Sequence, residues 1–139
     1  MPSMRTIFEI GQKVFKLINV NAVTATIDGA VYRQKSPINS NLKNIVITTL
    51  PIQDGFGVQM QEGIFFINIF APDFKNGQPD LTSLKAVSDA VITVIEAHTD
   101  TENFSIQILS QDVLNDQDHK LLSFLSLRCE YFIESGRSF

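Results

Sequence analysis

The sequence predicts an α+β fold: a mainly antiparallel sheet of four to five strands, two helices packed on one face, and a long protruding hairpin. Three observations predict it. Residues 4–18 and 81–97 repeat their apolar positions at helical spacing. Several other stretches alternate apolar with polar residues, or are dense in β-branched and aromatic ones, between turn signals. Two helices so far apart cannot supply the crossovers of a parallel sheet, which leaves antiparallel pairing. A chain of 139 residues has the length of one domain, taken as 1–139.

On a 3.6-residue wheel the first helix collects Ile7, Phe8, Ile10, Val14, Phe15, Leu17 and Ile18 on one half, with Glu9, Gln12, Lys13, Lys16 and Asn19 on the other. Ser3 or Thr6 is placed to cap it, and Thr6 with Glu9 has capping-box spacing. Over residues 19–42 the periodicity fails and turn residues accumulate, so only a short strand at 30–33 is expected there. Residues 43–52 are apolar and β-branched, broken by Pro51, and Asp54-Gly55 gives a turn signal before a second arm at 56–71. As one straight strand that arm would span roughly 50 Å at about 3.3 Å per residue. A globule of this size has a radius of gyration near ~14 Å. The arm must bend or project. Glu62-Gly63 is the expected bulge, with 57–61 projecting and 64–71 running through the sheet.

Residues 72–79 read as a loop containing Asn76-Gly77, after which Asp80 caps a helix reaching Ala97. Its expected buried face is Leu81, Leu84, Val87, Val91, Ile92, Val94 and Ile95, and Ala86, Ala90 and Ala97 beside it would permit close approach of another element. Residues 103–113 and 119–134 form a second long hairpin about the polar stretch 114–118. In the last strand Leu125, Leu127, Cys129, Tyr131 and Ile133 share one face, and Ser126, Arg128, Glu130 and Glu134 the other.

Composition narrows the function. The net charge of −4 opposes direct nucleic-acid binding, which needs clustered Lys and Arg. No apolar run approaches the ~20 residues of a membrane span, and no signal-like N-terminus is evident. The lone Cys129 lies in an alternating strand and reads as a buried thiol in a reducing compartment. His98 closes the second helix and His119 sits at a hairpin turn, neither with a second ligand at metal spacing. Asp112, Asp116 and Asp118 with Asn115 lack the rhythm and late Glu of a calcium loop and read as a solvated turn. Glycine-rich phosphate loops and the nucleophile-elbow motif are missing, and Asn68 is expected to bond to backbone inside its strand. The chain is therefore expected to be no enzyme, with no catalytic, metal or cofactor-binding residue. Eleven Phe without a Trp offer more apolar surface than a minimal core requires, so part of it is expected to meet a partner.

The order of elements resembles the phage tail completion or tail terminator proteins, of the siphophage head-tail joining type. The features that carry the resemblance are the N-terminal helix, Asp28-Gly29-Ala30-Val31-Tyr32, the Ser36-Pro37 loop and the strand Asn44-Ile45-Val46-Ile47. It continues through Phe66-Ile67-Asn68-Ile69-Phe70-Ala71, the helix with Leu84, Val87, Ala90 and Val91, and the closing strand Leu127-Arg128-Cys129-Glu130-Tyr131. The resemblance implies a virion structural subunit of the tail and neck, assembled in the host cytoplasm. Such subunits form a homo-oligomeric ring, commonly a hexamer, that ends the tail tube and joins it to the neck connector. The Glu62-Gly63 interruption and the extended arm are departures from that pattern. Ring closure uses two different, complementary faces of one subunit. Residues expected at subunit interfaces are Tyr32, Arg33, Lys35, Pro37 and Asn39 in the polar loop, and Gln53, Phe56, Gln59 and Gln61 in the arm. The alternatives are a small-ligand-binding ferredoxin-like domain and an assembly subunit of a non-phage injection system.

Overall fold

A computed structural model describes residues 7–35, 42–50, 53–55, 60–98, 104–115 and 122–134. The apolar repeat of the first helix becomes α1 (Ile7–Ile18), and a single further turn, α2 (Asn21–Thr24), follows it. α2 lacks a sequence signal because four residues are too few to show a period; it is held by Val23, which is buried in the core. The remaining elements are β1 (Val31–Arg33), β2 (Asn44–Thr49), β3 (Gln53–Gly55), β4 (Met60–Pro72), α3 (Leu81–Ala97), β5 (Phe104–Asn115) and β6 (Leu122–Glu134).

The fold is α+β, with a sheet in the order β1-β2-β4-β6-β5 and the short β3 pairing with β4 beyond the end of β2. All ladders are antiparallel except β1 with β2, which is parallel. A small network sets that parallel start. The Asn44 side chain, 2% exposed, accepts a hydrogen bond from the Ala30 N–H at 3.1 Å, and Asp28 accepts one from the Lys43 N–H at 2.6 Å. Gly29 must be small there, since a Cβ would fall 1.8 Å from Asn44 Oδ1.

All three described helices touch the sheet or one another on one side. α1 lies over β1 and β2, α3 over β4 and β6, and α2 against α3. The core between the layers takes Ile10, Val14 and Ile18 from α1, Leu84, Val87, Val91 and Ile95 from α3, and alternate residues of the strands: Ile45, Ile47, Phe65, Ile67, Ile69, Leu127, Cys129 and Tyr131. Asp80 caps α3 as the sequence requires, accepting from the Ser83 N–H at 3.1 Å while the Ser83 hydroxyl donates back at 2.8 Å. The loop ahead of it turns at Gly77, whose φ of 83° suits glycine.

Several expectations are corrected. Phe8 is 72% exposed, because on α1 it lies well round the helix from the buried stripe Ile10, Val14 and Ile18 that faces β1 and β2. Leu81 is also exposed; it opens α3 to the side of the stripe Leu84, Val87, Val91 and Ile95. Asp54-Gly55 is strand rather than turn, paired with Gln61 and Met60. Glu62-Gly63 carries no bulge: β4 pairs with β6 without a register break from Met60 to Pro72. On its other side β4 pairs with β2 as far as Thr49↔Phe65 and with β3 from Gln53↔Glu62. Gly63 serves packing instead, since a Cβ there would lie 2.5 Å from the Tyr131 hydroxyl oxygen. Pro72 belongs to β4, and Leu114 and Asn115 to β5.

Candidate interaction surface

Strand alternation sends the other half of the side chains to the face that carries no described helix. On β4 these include Glu62, Ile64, Phe66, Asn68 and Phe70; on β6 they include Phe124, Ser126, Arg128, Glu130 and Phe132. The pairs Phe66↔Arg128, Asn68↔Ser126 and Phe70↔Phe124 place them side by side. Phe70 and Phe124 stack with ring centroids 4.9 Å apart. Val46, from β2, is buried beside them, and Tyr32 of β1 lies in line with it. The face thus carries a belt of half-buried aromatic and aliphatic side chains around the buried Val46, interspersed with Glu62, Asn68, Ser126 and Glu130 and with Arg128 exposed among them.

Asn68 stands in the middle of that belt. Its Oδ1 is buried and has no hydrogen-bond partner among the described residues, in contrast to the backbone bond expected from the sequence. The cause is its place in a central strand: the main-chain groups of β2 and β6 on either side are committed to the ladders with β4.

Beside the face lies the outer margin of β5, the last strand of the sheet on that side among the described residues. Leu109, Val113 and Leu114 are 45–46% exposed on it. The register with β6 slips between Ile108 and Ser110, leaving Leu109 as the bulged residue. The sequence holds a trace of this, because the apolar phase set by Ile106 and Ile108 changes before Val113.

The residues expected at subunit contacts are partly accounted for. Tyr32 is half-buried on β1, and Arg33 and Lys35 are exposed at its end. Arg33 is also tied to its own chain: its guanidinium donates to the Phe8 carbonyl at 2.8 Å and lies against Gly11, where a Cβ would come within 3.2 Å of it. Gln53 and Gln61 lie in β3 and β4, in adjacent pairs of one ladder. Pro37, Asn39, Phe56 and Gln59 lie outside the described residues, as does most of the expected projecting arm at 57–61.

Reactive chemistry is not gathered anywhere among the described residues. No three His, Cys, Asp or Glu side chains group to hold a metal ion there. Burial pushes the Cys129 thiol and the Tyr131 phenol each up to about 12, so both stay neutral inside the core. A shallow hollow of about 200 Å³ is lined by Lys13, Lys16, Leu17 and His98. Lys13 there is held below its ordinary pKa, first by partial burial and second by Lys16. No described helix is long and apolar enough to cross a membrane. No protein-family model matches the chain, and no curated protein matches it.

Proposed function

We propose that this chain is a structural virion protein, a tail completion or tail terminator subunit that oligomerises into a ring, as a hexamer, at the end of a phage tail tube and joins it to the head-neck connector. The observation that carries the reading is the one-sided sheet. Its helices cover one face, while the other presents Phe66, Phe70, Phe124 and Phe132 in one belt. A belt of that kind is surface for protein to cover. The resemblance in element order supplies the setting, and the exposed β5 margin supplies a second, different surface, as a closed heterologous ring requires.

Light scattering on the purified protein tests it directly. The expected result is a mass several times 15.5 kDa, with rings in electron micrographs and binding to isolated tail tubes. A protein that stays monomeric at high concentration and binds neither tube nor connector would sink the reading.

A further inference from the structure

The two margins of the sheet run in opposite directions. β5 is antiparallel to β6 and β6 to β4, so β5 runs with β4; β2 and β3 oppose β4, and β1 follows β2. A second copy set beside the first in the same orientation therefore brings its β1 against β5 as an antiparallel neighbour, with β3 set back by one strand in the column of β2.

The margins also match in level. Followed across the ladders, Val31 lies in line with Ile45, Ile69, Leu125 and Val113, and Tyr32 with Val46, Asn68, Ser126 and Asp112. At the other end Gln53 lies in line with Glu62, Phe132 and Ser105. Between these two steps Thr48 and Thr49 stand level with Ser110 and Ile108, the residues that bracket the Leu109 bulge. There Gln34 leaves the margin at φ 71°, with its side-chain amide donating to the Thr49 hydroxyl at 2.8 Å. The step in one margin thus falls at the height of the bulge in the other.

Side chains agree with this match. Val31 and Val113 lie on the same face of the sheet, and Tyr32 and Asp112 share the opposite one. Asp112 is exposed, and the exposed cations Arg33 and Lys35 end the strand that would reach its level. β5 contains no Lys, Arg or Pro, the residues that commonly guard an edge against strand addition.

We propose that copies of this chain join head to tail through these margins, β5 of one subunit adding to β1 of the next, so that the sheet continues from subunit to subunit. The proposal rests on the ring reading above and names the contact that closes it. Sheet continuation leaves the aromatic face of every subunit on the same side of the ring, free for the tube or connector.

The test joins two cysteines placed on the two margins. Tyr32→Cys/Asp112→Cys, treated with a short bis-maleimide, is expected to give a ladder of multiples of 15.5 kDa on denaturing electrophoresis. Each single variant is expected to stay at the monomer, because head-to-tail contact never brings two like positions together; Cys129 is buried and takes no part. Single variants that cross-link to dimers would mean a two-fold contact and overturn the proposal. So would unmodified protein that forms rings while the double variant gives no ladder, an outcome that leaves the ring reading standing; a monomeric unmodified protein removes both. Val113→Lys, at an exposed position, is the second arm: its melting temperature is expected to match the parent while its mass falls to the monomer, and an unchanged assembly would count against the margin.

Discussion

Between Ile64 and Phe70 the two faces of β4 carry similar apolar content and differ in what buries it. Along β4, Phe65, Ile67 and Ile69 are fully buried under the helices, whereas Phe66 and Phe70, each one residue away, are half-buried and face outward. A strand with one solvated face ordinarily alternates apolar with polar residues. β4 instead reads Ile64-Phe65-Phe66-Ile67-Asn68-Ile69-Phe70, apolar on both faces apart from Asn68. Such a run is the signature of a strand covered on both sides, and this chain supplies described helices to one side only. On the proposed reading, that difference marks where folding ends and association begins.

The largest expected effect comes from the covered face. Ile67→Ala removes a fully buried side chain beneath α3 and should cost about 3–4 kcal/mol, measured by urea unfolding. A loss under about 1 kcal/mol would mean that the two layers are not packed against each other as described.

Next comes the join between the layers' far ends. Gly63 faces Tyr131, whose ring lies 6.2 Å from that of Phe65. Gly63→Ala should overpack this corner and cost about 2 kcal/mol, while Gly77→Ala, with open space around its Cβ, strains only a turn of positive φ. Comparable losses at the two sites would deny Gly63 its packing role.

That corner also shows how far the sequence could be read. The element order, the Asp80 cap and the inward residues of β6 follow from local rules: a capping side chain, a helical period, an alternation of two. Residues whose roles depend on a distant partner did not follow. Gly63 reads as a bulge until Tyr131 is set opposite it, and Asp54-Gly55 reads as a turn until Gln61 and Met60 are set opposite them. The parallel β1 needs Asn44 to hold Ala30, fourteen residues away. The interaction surface was legible only in part. Excess phenylalanine led to the expectation that some apolar surface lies outside the core, but which face carries it follows from sheet order, a non-local property. Asp112 reads in the sequence as part of a solvated turn, whereas it lies within β5, the outermost strand.

The titration of the covered face gives a smaller effect. Cys129 and Tyr131 are fully buried, and each is pushed up to about 12 by desolvation of its charged form. The unfolded chain releases these protons earlier, from about pH 8.5 for the thiol and about 10 for the phenol, so the folded state then binds more protons and loses stability as pH rises. Below the unfolded values the contribution is fully present. Near pH 10 the loss should be about 1–2 kcal/mol, read as a falling melting temperature that Cys129→Ala partly flattens. A melting temperature unchanged from pH 8 to about 10.5 would show that water reaches both groups, and the covered face would not be dry.

The smallest expected change in stability is on the open face, and it is the one that separates the two faces most sharply. Phe66→Ser removes a ring one residue from Ile67 but pointing the other way, with Arg128 as its cross-strand neighbour and no described helix above it. Its loss should cost the free subunit only about 1 kcal/mol, since part of the ring is already in water. If the face is covered in the assembly, the same substitution removes a buried aromatic anchor, and binding to tail tubes or connector should fall at least tenfold while ring formation through the margins persists. Equal and large destabilisation by Phe66→Ser and Ile67→Ala would mean instead that the chain covers both faces itself. The aromatic belt would then be core, and the binding surface would have to be sought elsewhere on the subunit.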